Sequence, residues 1–535
     1  MLRMTSIPKV PTIRDKEQTP LVTALLEIIK LQQEQIQALK DEIAILKGQQ
    51  PRPKIKPSNL GKSANRKNKD SNKKRSGRGK RGHRDEIEIH ETKIVEAENV
   101  PQGSRFKGYE DFTVQGLVIK PHNIRYRRER WKTPQGDSIV APLPEEVRAL
   151  GGHFDCMVVS FILYQHYHAH VTQPLIWEQL QEWGIDISTG QLSRILTENK
   201  ERFHAEKDKI LRVGLEVSNY VHVDDTGARH QGKNGYCTHI GNELFAWFQS
   251  TGSKSRVNFL EILRAGHEDY VVSEEAIWYM EIQGLPKIPM ERLAADQGCV
   301  FQDHKTWSAA LDAREITDQR HIRIATEGAL LGSVLEHGFN PELVIISDDA
   351  GQFNLVLLLH ALCWIHAERT IRKLVGFNDE QRTALEDTRT QIWDFYEVLK
   401  AYREEPGEIK KAEIEECFDA IFTQETCYET LNLALKRLHK KKDELLLVLE
   451  NPSIPLHNNL SESDIREYVK KRKISGSTRS AAGRRCRDTF ASLKKTCRKL
   501  GISFWTFLID RISGRNKILP LSKLIRQSAA RLHPT

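Results

Sequence analysis

The sequence predicts a multidomain α+β protein: an α/β core with a mixed sheet and helical insertions, preceded by separate N-terminal segments. Two observations lead there. At 535 residues the chain exceeds what one compact core holds. Two short apolar runs, Val221-His222-Val223 and Ile345-Ile346-Ser347, each lead into an acid pair and a glycine, Asp224-Asp225-Thr226-Gly227 and Asp348-Asp349-Ala350-Gly351. An apolar run that stops at acids and a glycine reads as a buried strand delivering carboxylates at its C-terminal end. Long segments of helical composition, 255–338 and 378–450, supply the α part.

In chain order, residues 17–48 carry heptads. Val22, Ile29, Ile36 and Ile43 fall at a positions and Leu25, Leu39 and Leu46 at d, with Gln32 interrupting the seam. Isoleucine at a with leucine at d suits a parallel two-stranded coiled coil, hence a homodimer or higher homo-oligomer; an amphipathic helix docked on its own domain fits the same pattern. Pro51 ends that helix. Segment 49–84 is rich in Lys, Arg, Ser, Asn and Gly, with fourteen Lys and Arg in 51–84 against the single acid Asp70. Such a segment reads as a disordered basic linker suited to phosphate. It accounts for the formal net charge of +9, and the remainder is near neutral.

Residues 85–146 read as a small β-rich module, from the alternation in Ile87-Glu88-Ile89 and Phe112-Thr113-Val114. Asn123–Arg128 mixes aromatic and basic side chains, which suits either a nucleic-acid contact or an ordinary charged face. Residues 147–212 turn helical. Leu175–Trp183 is one amphipathic helix, stopped by Gly184, and Gly190–Leu196 is a second. Ser188 with Gln191 three residues later has capping-box spacing. This pair matches a helix-turn-helix, although short helix pairs also occur in all-α cores. From 213 to 510 the catalytic region begins with a meander: Val217–Val223, Gly235–Gly241 and Glu243–Gln249, turning at Gly241-Asn242. Helical insertions lie near 255–338 and 370–450, and 511–535 reads as a C-terminal tail.

The eight cysteines are scattered without a CxxC pair, which argues against a cysteine zinc site or a disulfide framework and fits a reducing cytoplasm. The Cys363-x-x-His366 pair has no partner pair, so zinc is not expected. The N-terminus lacks a signal-peptide pattern and the longest apolar stretch, Leu355–Ile365, is interrupted by His360. Neither a membrane partner nor export is predicted; the expected location is cytoplasmic.

The acids then define a chemistry. Phosphoryl transfer commonly uses two divalent cations a few ångströms apart, and Mg²⁺ or Mn²⁺ takes hard carboxylate oxygens. Asp224, Asp348 and the distant Glu462 provide suitable ligands. Aspartates after strands are also ordinary turn residues; the repetition of the pattern, with Glu462 downstream, favours a site. Asn458 and Asn459 either cap the Glu462 helix or bond a DNA strand. Arg466, Lys470, Lys471, Arg472 and Lys473 follow with few acids to offset them, which suits a phosphate backbone.

These strings resemble the insertion-sequence-66 group of bacterial DDE transposases. The resemblance rests on the N-terminal zipper, Val223-Asp224-Asp225-Thr226-Gly227, Ser347-Asp348-Asp349 followed by Cys363-x-x-His366, and Pro455-Leu456-His457-Asn458-Asn459-Leu460-Ser461-Glu462. It implies an RNase H-like catalytic core and a DNA transposase that binds terminal inverted repeats and target DNA. Asp224, Asp348 and Glu462 are then the catalytic metal ligands for two Mg²⁺ or Mn²⁺ ions, with Asp225, Asp349 and His366 as supporting neighbours. Members of the group carry a cysteine-rich zinc module after the zipper; here no cysteine precedes Cys156, so 85–146 is a degenerate counterpart. The stretch between the two aspartates is also long for the group. An RNase H-like nuclease that cuts without joining, and an inactive DNA-binding relic or regulator, are the alternatives.

Overall fold

A computed structural model describes residues 29, 32, 89–96, 101–149 and 152–532, apart from 338, 341 and 356. The coiled coil expected over 17–48, apart from the helical positions 29 and 32, and the basic linker of 49–84 lie outside the described residues. Contacts divide the chain into two units, Met1–Ile119 and Lys120–Thr535. In the first, residues 101–119 run without helix or strand, and Phe106, Phe112 and Leu117 are exposed.

The second unit opens with a hairpin of two three-residue strands, β1 (Arg130–Lys132) and β2 (Ser138–Val140). This corrects the β-rich expectation for 85–146. Among the described residues the alternation at Phe112–Val114 meets no partner strand and no core, and an unpaired alternating segment cannot form a ladder; Ile87 and Glu88 lie outside the described residues.

The sheet that matters for function has five strands in the order β5-β4-β3-β8-β9. β3 (Tyr220–Gly227), β4 (Tyr236–Gly241) and β5 (Ala246–Thr251) form an antiparallel meander, while β8 (Val344–Ser347) and β9 (His360–Leu362) add in parallel to β3. The two-stranded sheet of β6 (Tyr270–Val271) and β7 (Val300–Phe301) stands apart, within the helical insertion. The sheet is mixed and flanked by helices, as an α+β fold requires.

The parallel strands are short and buried because helices cover both faces, and their two polar residues, Ser347 and His360, pair with each other at 2.7 Å. Ile345 joins one core, with Val221, Val223 and Phe490; Val344 and Ile346 join another, around Trp364, Phe395 and Phe418. That alternation is the period of two of a strand. The first core is built by helices Cys156–Leu163, Glu201–Val217, Gln319–Glu336 and Ala481–Lys499, the second by Asp379–Glu404, Glu408–Phe422 and Glu429–His439. Gly214 is required in its helix, because a Cβ there would stand 2.5 Å from the Phe245 ring.

Other boundaries differ from expectation in instructive ways. The first strand begins at Tyr220, since residues through Val217 complete a 17-residue helix. It also runs past the acids, because β4 stays paired as far as Gly227↔Tyr236. The helix pair appears as Gln173–Glu182 and Thr189–Thr197. Gly184 supplies φ +74 between them, and the reciprocal Ser188–Gln191 capping box is formed. The supposed tail is folded. Helix Leu521–Leu532 buries Leu521 and Ile525 completely, and Arg511 forks onto Glu206 at 2.8 and 2.9 Å.

Helix Ala481–Lys499 lies along the free edge of β5. Three side chains spaced by four residues meet the outward amides of that strand: Asp488 accepts from Ser250 (2.8 Å), Ser492 from Phe248 (2.9 Å) and Thr496 from Ala246 (3.2 Å). Spacing by four puts them on one helical face, and alternate strand residues point their amides the same way.

A carboxylate cluster at the parallel strand ends

In β3 the side chains of His222 and Asp224 share one face of the sheet, and Val221, Val223 and Asp225 share the other. The parallel register pairs Tyr220 with Val344, Val221 with Ile345 and His222 with Ile346. The same offset carries Asp224 to the level of Asp348, one residue beyond the end of β8. Two neighbouring parallel strands therefore bring their first aspartates to one face, just past the end of their shared ladder.

Glu462 reaches that face from helix Asn459–Ser475, which packs on the meander through Ile465 and Tyr468 against Cys237 and Phe248. Two polar anchors fix it. Asn458, 1% exposed, donates Nδ2 to the Val223 carbonyl (2.8 Å), and its Oδ1 lies 2.9 Å from His222 Nδ1. The amide already donates, so Oδ1 accepts and His222 carries its proton on Nδ1. The backbone N–H of Asn458 points at Cys363 Sγ (3.2 Å). One turn later Ser461 Oγ meets His239 Nδ1 at 2.7 Å, and Asp464 lies 3.2 Å from His239 Nε2. Asp464 also takes Lys499 at 2.7 Å and Lys495 at 3.2 Å. Burial alone would raise its pKa; His239 and Lys499 outweigh that and hold the carboxyl well below the usual range.

Crowding of acids shows in Asp224. Burial, aided by the charges of Asp348, Asp225 and Glu462, pushes its pKa up to about 7, against one opposing bond from the Asp225 amide. A carboxylate that resists ionisation among others is one that a cation would relieve. The donor set is all oxygen, which fits Mg²⁺ or Mn²⁺ and not a soft metal.

The supporting residues separate. Asp225 faces away, accepting from Thr238 Oγ1 (2.5 Å) and Gln352 Nε2 (2.9 Å). Asp349 is exposed and pairs with Lys441 at 3.4 Å. His366 lies in the first turn of helix Trp364–Arg372, which follows β9 after Cys363, and its Nε2 lies 3.6 Å from Glu462. Burial and Arg369 lower its pKa, so it is neutral.

The basic run divides as well. Arg466 and Lys470 are exposed, with the acids Glu462 and Glu467 as intrahelical partners, and Lys473 is exposed. Arg472 is tied to the Gly227 carbonyl and Thr226. Lys471 is buried, donates to the His166 carbonyl at 2.6 Å and, by burial and the nearby Arg487, has its pKa pushed down to about 7. Asn458 and Lys471 are therefore corrected from surface DNA contacts to internal ties; Asn459 is exposed. Asn458 also makes no side-chain cap, because both ends of its amide are engaged across the sheet. Between helices Asn459–Ser475 and Ala481–Lys499 an open cleft of about 470 Å³ is lined by Arg466, Lys470, Lys495, Arg498 and Lys499, with Ser463 and the acids Asp464 and Glu467.

Sequence reasoning missed Asp464, Ser461, Gln352 and the partners His222 and His239. The histidines in strands Val221–Val223 and Tyr236–Gly241 were the available signal, since a polar residue inside a buried strand needs a partner. Among the described residues, the tightest cluster of metal-type donors is elsewhere, at His267, Asp269 and His337. There the imidazole planes stack at 3.6 Å and 9°, so their in-plane lone pairs run side by side, and Asp269 accepts from His337 Nε2 at 2.8 and 2.9 Å. That is the geometry of a hydrogen-bonded pair with a stacked neighbour.

A family model described as "Transposase IS66 family" matches residues 327–485, a span that includes Asp348, His366 and Glu462. An uncharacterised protein of Sinorhizobium fredii, y4jO, is 41% identical over 323 residues, covering 60% of this chain and all of the relative. The chain belongs to the IS66 transposase family. Membership implies a role in transposition and, in general terms, nuclease or transferase activity on DNA. Among the described residues no helix is long and apolar enough to cross a membrane.

Proposed function

We propose that this IS66-family chain is a DNA transposase that binds the terminal inverted repeats of its element and catalyses metal-dependent cleavage and strand transfer. Its catalytic ligands are Asp224, Asp348 and Glu462, on an RNase H-like core. The observation that carries the reading is the shared level of Asp224 and Asp348 on adjacent parallel strands, with Glu462 brought to the same face by a helix anchored on β3 and β4.

Two divalent cations, when bound, would activate the attacking oxygen and stabilise the leaving one. The chain's own part is to hold and orient. Asp224, whose carboxyl feels the charges of both other acids, would hold a cation together with them. His222, Asn458 and the Val223 carbonyl fix the spacing of strand and helix. His239 and Asp464 hold that helix against the sheet. The same centre serves water in the cleavage step and a DNA 3′-hydroxyl in the joining step, so alignment does most of the catalytic work. Arg466, Lys470 and Lys473, beside the cleft, suit the phosphate backbone. The helices Gln173–Glu182 and Thr189–Thr197 leave Ser193 and Arg194 exposed, as a helix-turn-helix that reads DNA requires. The N-terminal heptads would join two copies.

The test is a strand-transfer assay with DNA carrying the ends of the element and Mg²⁺ or Mn²⁺. Joined products are expected from the wild type, and none from Asp348→Ala. Undiminished joining by that variant removes Asp348 from the site, and cleavage without joining identifies a nuclease instead.

A further inference from the structure

Of the three acids, only Glu462 has arginines within ion-pair distance among the described residues, with a neutral histidine beside them. Its Oε1 lies 3.6 Å from His366 Nε2 and 3.8 Å from Arg369 Nη2, and its Oε2 lies 3.5 Å from Arg466 Nη2. All are looser than a charge-assisted hydrogen bond. Arg466 is 73% exposed, whereas Arg369 and His366 stand on a helix rooted by the buried Trp364. Arg369 donates Nη1 to His366 Nε2 at 3.0 Å. That nitrogen therefore accepts, the ring proton is on Nδ1, and this Nδ1 is buried without a hydrogen-bond partner. The site thus holds a cation loosely set on a would-be metal ligand, and beside it an unused buried donor.

We propose that Arg369, backed by His366, is a switching contact: it neutralises Glu462 before cation and DNA arrive, and moves to a non-bridging oxygen of the DNA phosphate when Glu462 turns to a divalent cation. This rests on the reading of Asp224, Asp348 and Glu462 as metal ligands. A guanidinium keeps its charge at any relevant pH and cannot resolve the conflict by losing a proton. Once the lone pairs of Glu462 are engaged elsewhere, Arg369 faces like charge with no anion of its own. A phosphodiester supplies that anion, and its oxygens match the guanidinium fork. Arg369 therefore opposes cation binding in the absence of DNA and favours it in its presence. By linkage, bound DNA tightens the cation site and bound cation tightens DNA.

The experiment measures Mn²⁺ affinity of the full chain by titration calorimetry, with and without a short random-sequence DNA duplex at low salt. The proteins compared are wild type, Arg369→Ala, Arg369→Lys and Asp224→Asn. In Arg369→Ala the DNA-free affinity for Mn²⁺ is expected to tighten by about two- to five-fold, the range of a partly exposed ion pair. The gain on adding DNA should be lost, and Arg369→Lys should restore both in part. A residue that only holds the helix in place would weaken Mn²⁺ binding, the opposite sign. Unchanged or weaker DNA-free affinity in Arg369→Ala overturns the switch, provided that Asp224→Asn abolishes binding. If Asp224→Asn binds Mn²⁺ as well as the wild type, the ligand assignment itself falls, and the switch with it.

Discussion

Asp224 gives the sharpest test of the carboxylate cluster, because the same residue should destabilise the free protein and be indispensable to activity. Burial and the charges of Asp348, Asp225 and Glu462 raise its pKa from 3.8 to about 7. A raised carboxyl pKa means that the folded state holds the proton more tightly than the unfolded one. The stabilisation is then complete below the unfolded value of 3.8 and is lost as pH rises through about 7. In a wholly dry site the difference would correspond to ~4 kcal/mol. Asp224 is only partly buried, and solvent reduces this to ~2 kcal/mol. Asp224→Asn removes the charge without the volume. In chelator-treated protein the variant should melt ~2–4 °C above the wild type near pH ~8.5 and about half as far above it near pH ~5.5. Mn²⁺ at about a hundredfold its Kd should stabilise the wild type by ~2.7 kcal/mol and leave the variant unmoved. Scanning calorimetry at the two pH values reads all of this. A variant less stable at high pH, or one that gains equally from Mn²⁺, would refute the idea that Asp224 is crowded by ligand carboxylates.

Three further expectations concern the anchors and the basic run. Asn458→Ala strips the Val223 carbonyl and His222 of their buried partner and should cost ~2–4 kcal/mol in urea unfolding; a loss under ~1 kcal/mol would mean that water replaces the amide. Asp464→Ala leaves Lys495, Lys499 and His239 without their carboxylate and should cost ~3–5 kcal/mol near neutral pH. The depressed pKa of Asp464 makes its contribution present above 3.8 and lost as pH falls below it, so the cost should fade in acid melts. Lys470→Ala should weaken DNA binding and lower the slope of log affinity against log salt by ~0.9, whereas the buried Lys471→Met should leave that slope unchanged; equal slopes for the two variants would place Lys471 on the DNA after all.

What the sequence made legible follows from how local each signal is. Val344–Ser347 was readable because four consecutive buried positions admit little else, and the Ser188–Gln191 box because both partners lie within one helical turn. The strand limits around Asp224 were not, since β3 runs to Gly227 only because β4 stays paired to it. The β-rich reading of 85–146 failed for the converse reason: alternation without a partner makes no ladder. Candidate ligands could be picked out, but their arrangement could not. Whether Asp224 or Asp225 faces Glu462 depends on which sheet face Asn458 binds, a contact across 235 positions. For the basic run, the sequence shows charge but not direction, and Lys470 and Lys471 point to solvent and core respectively.

The helix along β5 bears on how copies of this protein can meet. An open outer strand invites another chain to continue the sheet, with controlled pairing and aggregation as two outcomes of the same exposed amides. Here Asp488, Ser492 and Thr496 occupy those amides, and at the opposite margin β9 is only three residues long and packs beside Lys442–Leu449. Continuation of the five-stranded sheet past β5 is thereby closed as a route to self-association. Two copies working on a pair of DNA ends would meet without using that edge, so their spacing could follow the DNA without disturbing the strands on that side of the acids.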